Sequence, residues 1–391
     1  MSYLFQQIED RRNGKKLLPM IVFTLLLTVL FTGFSAGKAA ADDKALPYAD
    51  QYIDLHLHLD GSITLDIAKQ LAALQGIQLP TDNDEELEKL LTVPADCQSL
   101  VEFLRCFDLP SSLMQTPEGL REAVHLVADN IKSQGVVYAE IRWAPQLHTM
   151  GGMTQEEAVQ AALEGLEETD LKANLILCCM RGADNEAQNE ETIALAKKYL
   201  VEDGGVVAVD LAGAESLYPT ENYRELFAKA RDLGVPFTIH AGEAAGAESV
   251  RCAIEFGAKR IGHGVRTYED PEVVALVKER GVTLEMCPTS NRQTHAIDNM
   301  ADYPFMQYLA DGIKVTISTD DMGIVGTTLA NEFRYMEENF NLSPEQERIV
   351  LANAVDAAFT SDEVKEQLRE TLGLDSGTII ELSIQDALLA A

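Results

Sequence analysis

Basic residues are scarce in this chain, with 31 Lys and Arg against 63 Asp and Glu. The resulting formal net charge of −32 excludes the phosphate-neutralising surface that nucleic-acid binding depends on. Cysteine is sparse as well, and six in 391 residues are too few for a disulfide scaffold. Cys178, Cys179 and Cys287 lie in or beside apolar runs, where a small hydrophobe is the expected role. One bridge, between Cys97 and Cys106, is left open by the sequence. Only seven histidines are present, and two of them stand together in His56-Leu57-His58. Strand four, read below, holds no lysine.

One long apolar run, over residues 17–34, sits near the start. Arg11, Arg12, Lys15 and Lys16 precede it, and small residues ending in Ala39-Ala40-Ala41 follow it. That is the order of a secretory signal with an A-x-A cleavage site at Ala39 and Ala41. A run of about 18 residues is also long enough to cross a bilayer as an uncleaved anchor. In both cases the basic residues stay cytoplasmic. The expectation is export with removal of residues 1–41, and contact with a membrane only through this segment if it is retained. No cysteine follows the run, so attachment of a lipid to a cysteine there is excluded. Residues 1–41 carry five Lys/Arg and two Asp/Glu, a balance of +3, so their removal takes the chain from −32 to −35.

From residue 42 to 391 no linker or change of composition divides the chain. Strand-like apolar runs at 52–57, 136–143, 173–180, 206–211, 236–240, 260–263, 282–286 and 314–318 alternate with amphipathic stretches such as 120–133, 155–169, 223–233 and 271–279. Eight strand–helix repeats describe an α/β chain closed into a (β/α)8 TIM-type barrel. The connection from 59 to 135 is longer than one crossover, and its helical patterns predict an insertion covering the barrel mouth. Extra helices are expected on the outside from about residue 343.

Reactive groups of such a barrel gather where the strands end. Strand one reads Tyr52-Ile-Asp-Leu-His-Leu-His58, so period two places Asp54, His56 and His58 on one face, with Asp60 just beyond. Strand four ends in Asp210-Leu-Ala-Gly213, strand five in His240-Ala-Gly-Glu243, strand six in Gly262-His263-Gly264 and strand eight in Ser318-Thr-Asp320-Asp321. A lone histidine after a strand is usually a structural hydrogen-bonding residue. Four histidines and several carboxylates converging on one rim point instead to a metal-dependent active site, and imidazole with carboxylate suits zinc.

The motifs HxHLDG, HAGE, GHG and STDD, in this order over about residues 50 to 340, resemble the adenosine deaminase family of the amidohydrolase superfamily. The segments Tyr138-Ala-Glu-Ile-Arg142 with Pro145 and His148, and Glu285-Met-Cys-Pro-Thr-Ser-Asn291, belong to the same resemblance. It implies one zinc ion held by His56, His58, His240 and Asp320. It further implies that Glu243 faces purine N1 and that His263 lies beside the attacking water. Asp321 would contact that water or purine N7, the Gly213 backbone N–H would meet N3, and Asp60 the ribose. His58 borders the substrate as well as the metal.

Zinc with three imidazoles and a carboxylate keeps a place for water and lowers its pKa toward about 7. Attack on C6 drives electron density onto N1, which calls for a carboxylic acid there, and Glu243 serves if burial raises its pKa. His263 either holds the attacking oxygen by electrostatics or takes its proton. Two-metal amidohydrolases bridge their ions with a strand-four lysine, which residues 206–213 lack. The H-x-E and P-C-x-x-C motifs of cytidine-type deaminases are also missing. Asp60 leaves room for a ribose where relatives acting on free adenine tend to carry Glu. The expected substrate is therefore a purine nucleoside, adenosine or 2′-deoxyadenosine. The alternatives are an adenine or modified-adenine deaminase and a catalytically dead purine-binding protein. Leu100, Phe103, Leu104 and Phe107, at helical spacing, are either an ordinary core face or a lid over the purine. Met322 stands where the family often has proline, which predicts a looser turn after strand eight.

Overall fold

The computed structural model describes residues 47–374, apart from 95, 96, 98 and 99. The expected leader over 1–41 lies outside the described residues. Eight parallel strands form, at β1 (Tyr52–His58), β2 (Val136–Trp143), β3 (Lys172–Met180), β4 (Val206–Ala212), β5 (Thr238–Ala241), β6 (Arg260–His263), β7 (Thr283–Met286) and β8 (Val315–Ile317). Strands β1–β4 pair in sequence order, and so do β5–β8. Parallel bridges Val209–Phe237 and Leu57–Asp320 join the two sets at both seams. The eight strands thus lie in the predicted (β/α)8 order.

Local chemistry sets the helix ends. Thr116 caps the helix Pro117–Ser133 by accepting from the Gly119 N–H, and Pro117 takes its first turn, so the helix begins ahead of the predicted residue 120. Thr154 with Glu157 and Ser343 with Gln346 form reciprocal caps on the helices Gln155–Glu167 and Pro344–Ala357. The long first connection holds the helices Leu65–Gln75, Asp84–Leu91, Leu100–Phe103 and Asp108–Ser112 before Pro117–Ser133. Leu100 to Phe107 is not one helix, because a 3-10 turn over Leu104–Phe107 follows the short helix. Leu100 and Phe103 pack there against Ile324 and Val325 from the segment after β8. The helices Pro344–Ala357 and Asp362–Leu372 follow the barrel, and the first packs on β8 and β1.

The barrel interior is charged where its strands read as mainly apolar. Arg260 on β6 donates to Glu285 Oε1 on β7 and to Glu140 Oε2 on β2, both at 2.5 Å. Arg142 on β2 reaches Glu285 Oε2 at 2.8 Å and Asp210 Oδ2 at 2.9 Å. β2 pairs with neither β6 nor β7, so the contacts of Glu140 and Arg142 with Arg260 and Glu285 cross the inside of the barrel. Glu140 also accepts from the Phe359 N–H at 2.5 Å, which ties the C-terminal segment to the barrel floor. Removing one partner of a buried pair leaves an uncompensated charge. Arg260→Ala is therefore expected to lower the unfolding free energy by roughly 3–5 kcal/mol, measured by urea denaturation. A loss below about 1 kcal/mol would mean that Glu140 and Glu285 are solvated or find other partners.

Candidate active site

The last seam of the barrel brings the first and last motifs together. The His58 N–H donates to the Asp320 carbonyl at 2.7 Å, and the Asp320 N–H to the His56 carbonyl at 2.8 Å. Asp320 has a φ of 63°, a left-handed conformation rare outside glycine, and its side chain turns onto the strand-one imidazoles. Asp320 Oδ1 lies 3.2 Å from His56 Nε2 and 3.4 Å from His58 Nε2. The Nε2 atoms of His58 and His240 are 3.1 Å apart. Ligand atoms of His56, His240, His263 and Asp320 all fall within 4.8 Å of one another. Asp54, behind this group, accepts from Thr319 Oγ1 at 2.6 Å and steadies the end of β8.

The outer nitrogens show what the inner ones are for. His56 Nδ1 lies 2.8 Å from Glu285 Oε2, and His240 Nδ1 lies 2.8 Å from Asp210 Oδ2. Burial opposes the charge on Glu285 and Asp210. The neighbouring groups, Arg142 foremost for Glu285 and His240 with Arg142 for Asp210, outweigh it and hold both well below the usual carboxylate range. A carboxylate hydrogen-bonded at Nδ1, as Glu285 is to His56, fixes the ring proton there and turns the Nε2 lone pair inward. Asp210 stands at the same distance from His240 Nδ1 without an aligned hydrogen bond. His56 Nε2 is buried with no hydrogen-bond partner among the described residues. Converging imidazole lone pairs beside the Asp320 carboxylate fit a divalent cation.

Glu243 follows β5 and is almost fully buried. Burial, then the charges of Asp320 and Glu215, push its carboxyl up to about 8, so at neutral pH it carries a proton. Its Oε2 stands 3.6 Å from His263 Nε2. The turn that carries it is wrapped around Glu215, which sequence reasoning missed. Glu215 accepts from the N–H groups of Gly242 (2.8 Å), Glu243 (3.1 Å), Ala244 (2.7 Å) and Ala245 (2.9 Å), and from Ser249 Oγ (2.5 Å). Its only sequence signal is a carboxylate two residues past Gly213.

His263, at a φ of 63°, is turned out of β6 with its Nδ1 2.9 Å from Asn291 Nδ2. Burial outweighs the nearby Asp320 carboxylate and, beside His56 and His240, holds its pKa well below the usual imidazole value. Asp321 is buried beside Gly61, where a Cβ would sit 1.8 Å from Asp321 Oδ1, so only glycine permits this approach. Burial and the Asp320 charge push Asp321 well above the usual carboxylate range, and burial pushes Asp60 up to about 6. The predicted loosening at Met322 is not observed. Met322 is buried and opens the short helix Met322–Val325, whose Val325 N–H bonds the Asp321 carbonyl at 2.8 Å. A proline there loses only an N–H that has no helical partner, so methionine serves the same turn.

His58, Asp60, Gly213, His240, Glu243, His263, Asp320 and Asp321 all border one cavity of about 410 Å³. Leu100, Phe103, Leu104 and Phe107 line this cavity, and Leu100 and Phe103 are at the same time part of a buried apolar cluster, so both expectations find support here. The structure therefore gathers the sequence-derived candidates in one place, with His56 immediately behind. His148 stands apart from them, buried with its Nδ1 3.1 Å from the Met114 carbonyl.

Comparison with known proteins agrees with this fold. The adenosine deaminase family profile matches residues 52–373. An adenosine deaminase of Haemophilus ducreyi is 50% identical over 322 residues, covering 81% of this chain and 94% of that protein. A crystal structure of an adenine deaminase from Arthrobacter aurescens superposes with a TM-score of 0.75 at 27% identity, covering 83% of this chain and 98% of that one. An N6-methyl-AMP deaminase from Arabidopsis thaliana gives 0.71 at 27% identity, covering 85% and 98%. With a cluster of this kind at the mouth of a barrel of this kind, the chain belongs to the adenosine deaminase family.

Proposed function

We propose that this enzyme converts adenosine and 2′-deoxyadenosine to the inosine forms by hydrolytic deamination, with one zinc ion held by His56, His58, His240 and Asp320. The observation that carries the reading is a buried carboxyl group, Glu243, set beside a cluster of metal-binding side chains in an apolar cavity. Zinc, when bound, supplies a Lewis acid that makes water nucleophilic near neutral pH.

The protein's own groups do the rest. Glu243 donates its proton to purine N1 as water adds at C6, which withdraws electrons from the carbon under attack. His263 faces the adding oxygen. Asp321 contacts the water or N7, the Gly213 N–H binds N3 and Asp60 accepts from the ribose. The C6–N6 bond then breaks and ammonia leaves. Leu100, Phe103, Leu104 and Phe107 close the apolar side of the cavity and exclude water from the purine. Among the described lining residues there is no Lys or Arg to pair with a phosphate, which favours a nucleoside over a nucleotide. We further propose that the enzyme is exported, on the basic, apolar and small-residue order of residues 1–41.

Zinc-loaded protein assayed by absorbance should act on adenosine and deoxyadenosine, with AMP and adenine slower by at least roughly 10-fold. Faster turnover of adenine would reassign the substrate. Glu243→Gln should retain zinc and still bind adenosine while turnover falls at least about 10²-fold; activity within a few-fold of the unmodified enzyme would remove Glu243 as proton donor. Glu215→Gln sets an NH2 group against the donors that a carboxylate had accepted. The displaced Glu243 turn is expected to cost roughly 10²-fold in turnover at unchanged zinc content, and a parallel loss of zinc would show that Glu215 supports the metal ligands instead. N-terminal sequencing of exported protein should begin near Asp42; a chain starting at Met1 and released only by detergent would be an anchored form.

A further inference from the structure

His263 has an unusual neighbour. The other two imidazoles whose outer nitrogen meets a side chain, His56 and His240, face the carboxylates Glu285 and Asp210. His263 Nδ1 instead faces an amide, Asn291 Nδ2, at 2.9 Å. Asn291 is fully buried in the helix Pro288–Gln293 after β7, and the way its amide points is decided by its other contacts. Asn291 Oδ1 accepts from the Cys287 backbone N–H at 3.3 Å and from the Tyr303 hydroxyl at 2.8 Å. A backbone N–H can only donate, so the amide atom facing Cys287 is the carbonyl oxygen, and the NH2 group is left for His263. An NH2 group can only donate in turn. The Nδ1 atom of His263 must therefore accept, which places the ring proton on Nε2. That nitrogen points into the cavity, 3.6 Å from Glu243 Oε2 and 3.9 Å from Asp320 Oδ2.

We propose that Asn291, aligned by Tyr303 and the Cys287 N–H, is a positioning residue that holds His263 as the Nε2–H tautomer. In the deamination His263 then donates a hydrogen bond to the oxygen adding at C6 and does not take that oxygen's proton. The catalytic half of this statement rests on the deaminase reading, whereas the tautomer does not. The arrangement is the reverse of a histidine base, whose Nδ1–H is held by a carboxylate so that Nε2 can accept. The proton balance closes without His263. The oxygen–C6 bond forms as the C6–N1 π pair moves to N1, which takes the Glu243 proton. Of the two protons on the water oxygen, one restores the Glu243 carboxyl. The other leaves with the amino nitrogen as ammonia when the C6–N6 bond breaks.

The test is nitrogen NMR of the zinc-loaded enzyme labelled at its imidazoles, with His263→Ala identifying the resonance among seven histidines. The expected signature is a protonated Nε2 and an unprotonated, hydrogen-bonded Nδ1; an Nδ1–H overturns the proposal. Asn291→Asp is nearly isosteric and can still accept from Tyr303 and Cys287, but it demands a proton on Nδ1. If its spectrum shows Nδ1–H with a bare Nε2, kcat should fall roughly 10²-fold, the scale of losing one donor at a developing charge, with KM within a few-fold. Retained or increased kcat in that state identifies His263 as a base and overturns the proposal. If both nitrogens are protonated the donor persists, so kcat must persist, and its loss is equally fatal. Tyr303→Phe is the milder variant, expected to give mixed tautomers and a smaller loss of kcat; a pure Nε2–H spectrum with reduced kcat would remove Tyr303 from the aligning role. An unmodified protein that shows Nε2–H but does not turn over adenosine refutes the deaminase reading alone, and an active one showing Nδ1–H refutes the tautomer alone.

Discussion

The arrangement at the barrel mouth depends on one guanidinium. Arg142 lies fully buried next to the C-terminal end of β2, and its two terminal nitrogens reach Asp210 Oδ2 and Glu285 Oε2 while Nη2 also meets the Leu55 carbonyl at 2.6 Å. Those same two oxygens are the ones that face His240 Nδ1 and His56 Nδ1. A single planar cation therefore stabilises both carboxylates, of which Glu285 fixes the tautomer and the aim of His56 and Asp210 lies against the outer nitrogen of His240. Lysine has the charge but not the fork, so it cannot span two acceptors on opposite sides in this way. Glu285 also reaches Arg260 and through it Glu140. The orientation of the inner nitrogens is thus continuous with the ion pairs that fill the barrel interior. Stability and site geometry share the same residues.

On this scaffold the carboxyl groups are driven to different protonation states. Burial raises all of them, but Asp320 faces the ring nitrogens of His263, His56 and His58, and these neighbours hold it well below the usual range. For Glu243 and Asp321 the lowering contacts, Thr294 with His56 and Arg142 respectively, are outweighed, because the Asp320 charge adds to their burial. Carboxyl groups this close cannot all ionise together, so one becomes the anion and the others retain protons. Glu215 takes part twice, adding its charge beside Glu243 and gathering four backbone N–H groups that fix where Glu243 points.

The barrel and the inner ring of residues were legible in the sequence because strand periodicity carries both. Period two aligned His56 with His58, and polar residues closing apolar runs marked Glu243, His263, Asp320 and Asp321 as rim residues. What escaped lacks periodicity. Glu215 sits in an irregular turn, and its importance lies in backbone donors 27 to 30 residues away. Asn291 was visible as part of a motif, but its meaning depends on the Cys287 N–H and the Tyr303 hydroxyl fixing its amide, which no spacing encodes. The interior charges were hidden because Glu140, Arg142 and Arg260 fall in runs that read as buried strands, and only closure of the barrel pairs them. The helical spacing of Leu100, Phe103, Leu104 and Phe107 suggested one continuous face. The backbone tightens into a 3-10 turn instead, since these side chains reach across to Ile324 and Val325 and over the cavity.

That last departure links the insertion to the chemistry. A carboxylic acid remains protonated near neutral pH only where water is kept from solvating its anion. Glu243 owes its raised pKa first to burial, and part of the apolar wall of its cavity comes from Leu100, Phe103, Leu104 and Phe107, more than 130 residues earlier in the chain. Ala244, the residue after Glu243, packs against the same cluster as Phe103, Ile324 and Val325. The apolar lid, the segment after β8 and the turn carrying the acid therefore form one packed unit. Loosening any of the three admits water to all of them, and an acid that gains water loses the raised pKa on which its proton donation depends.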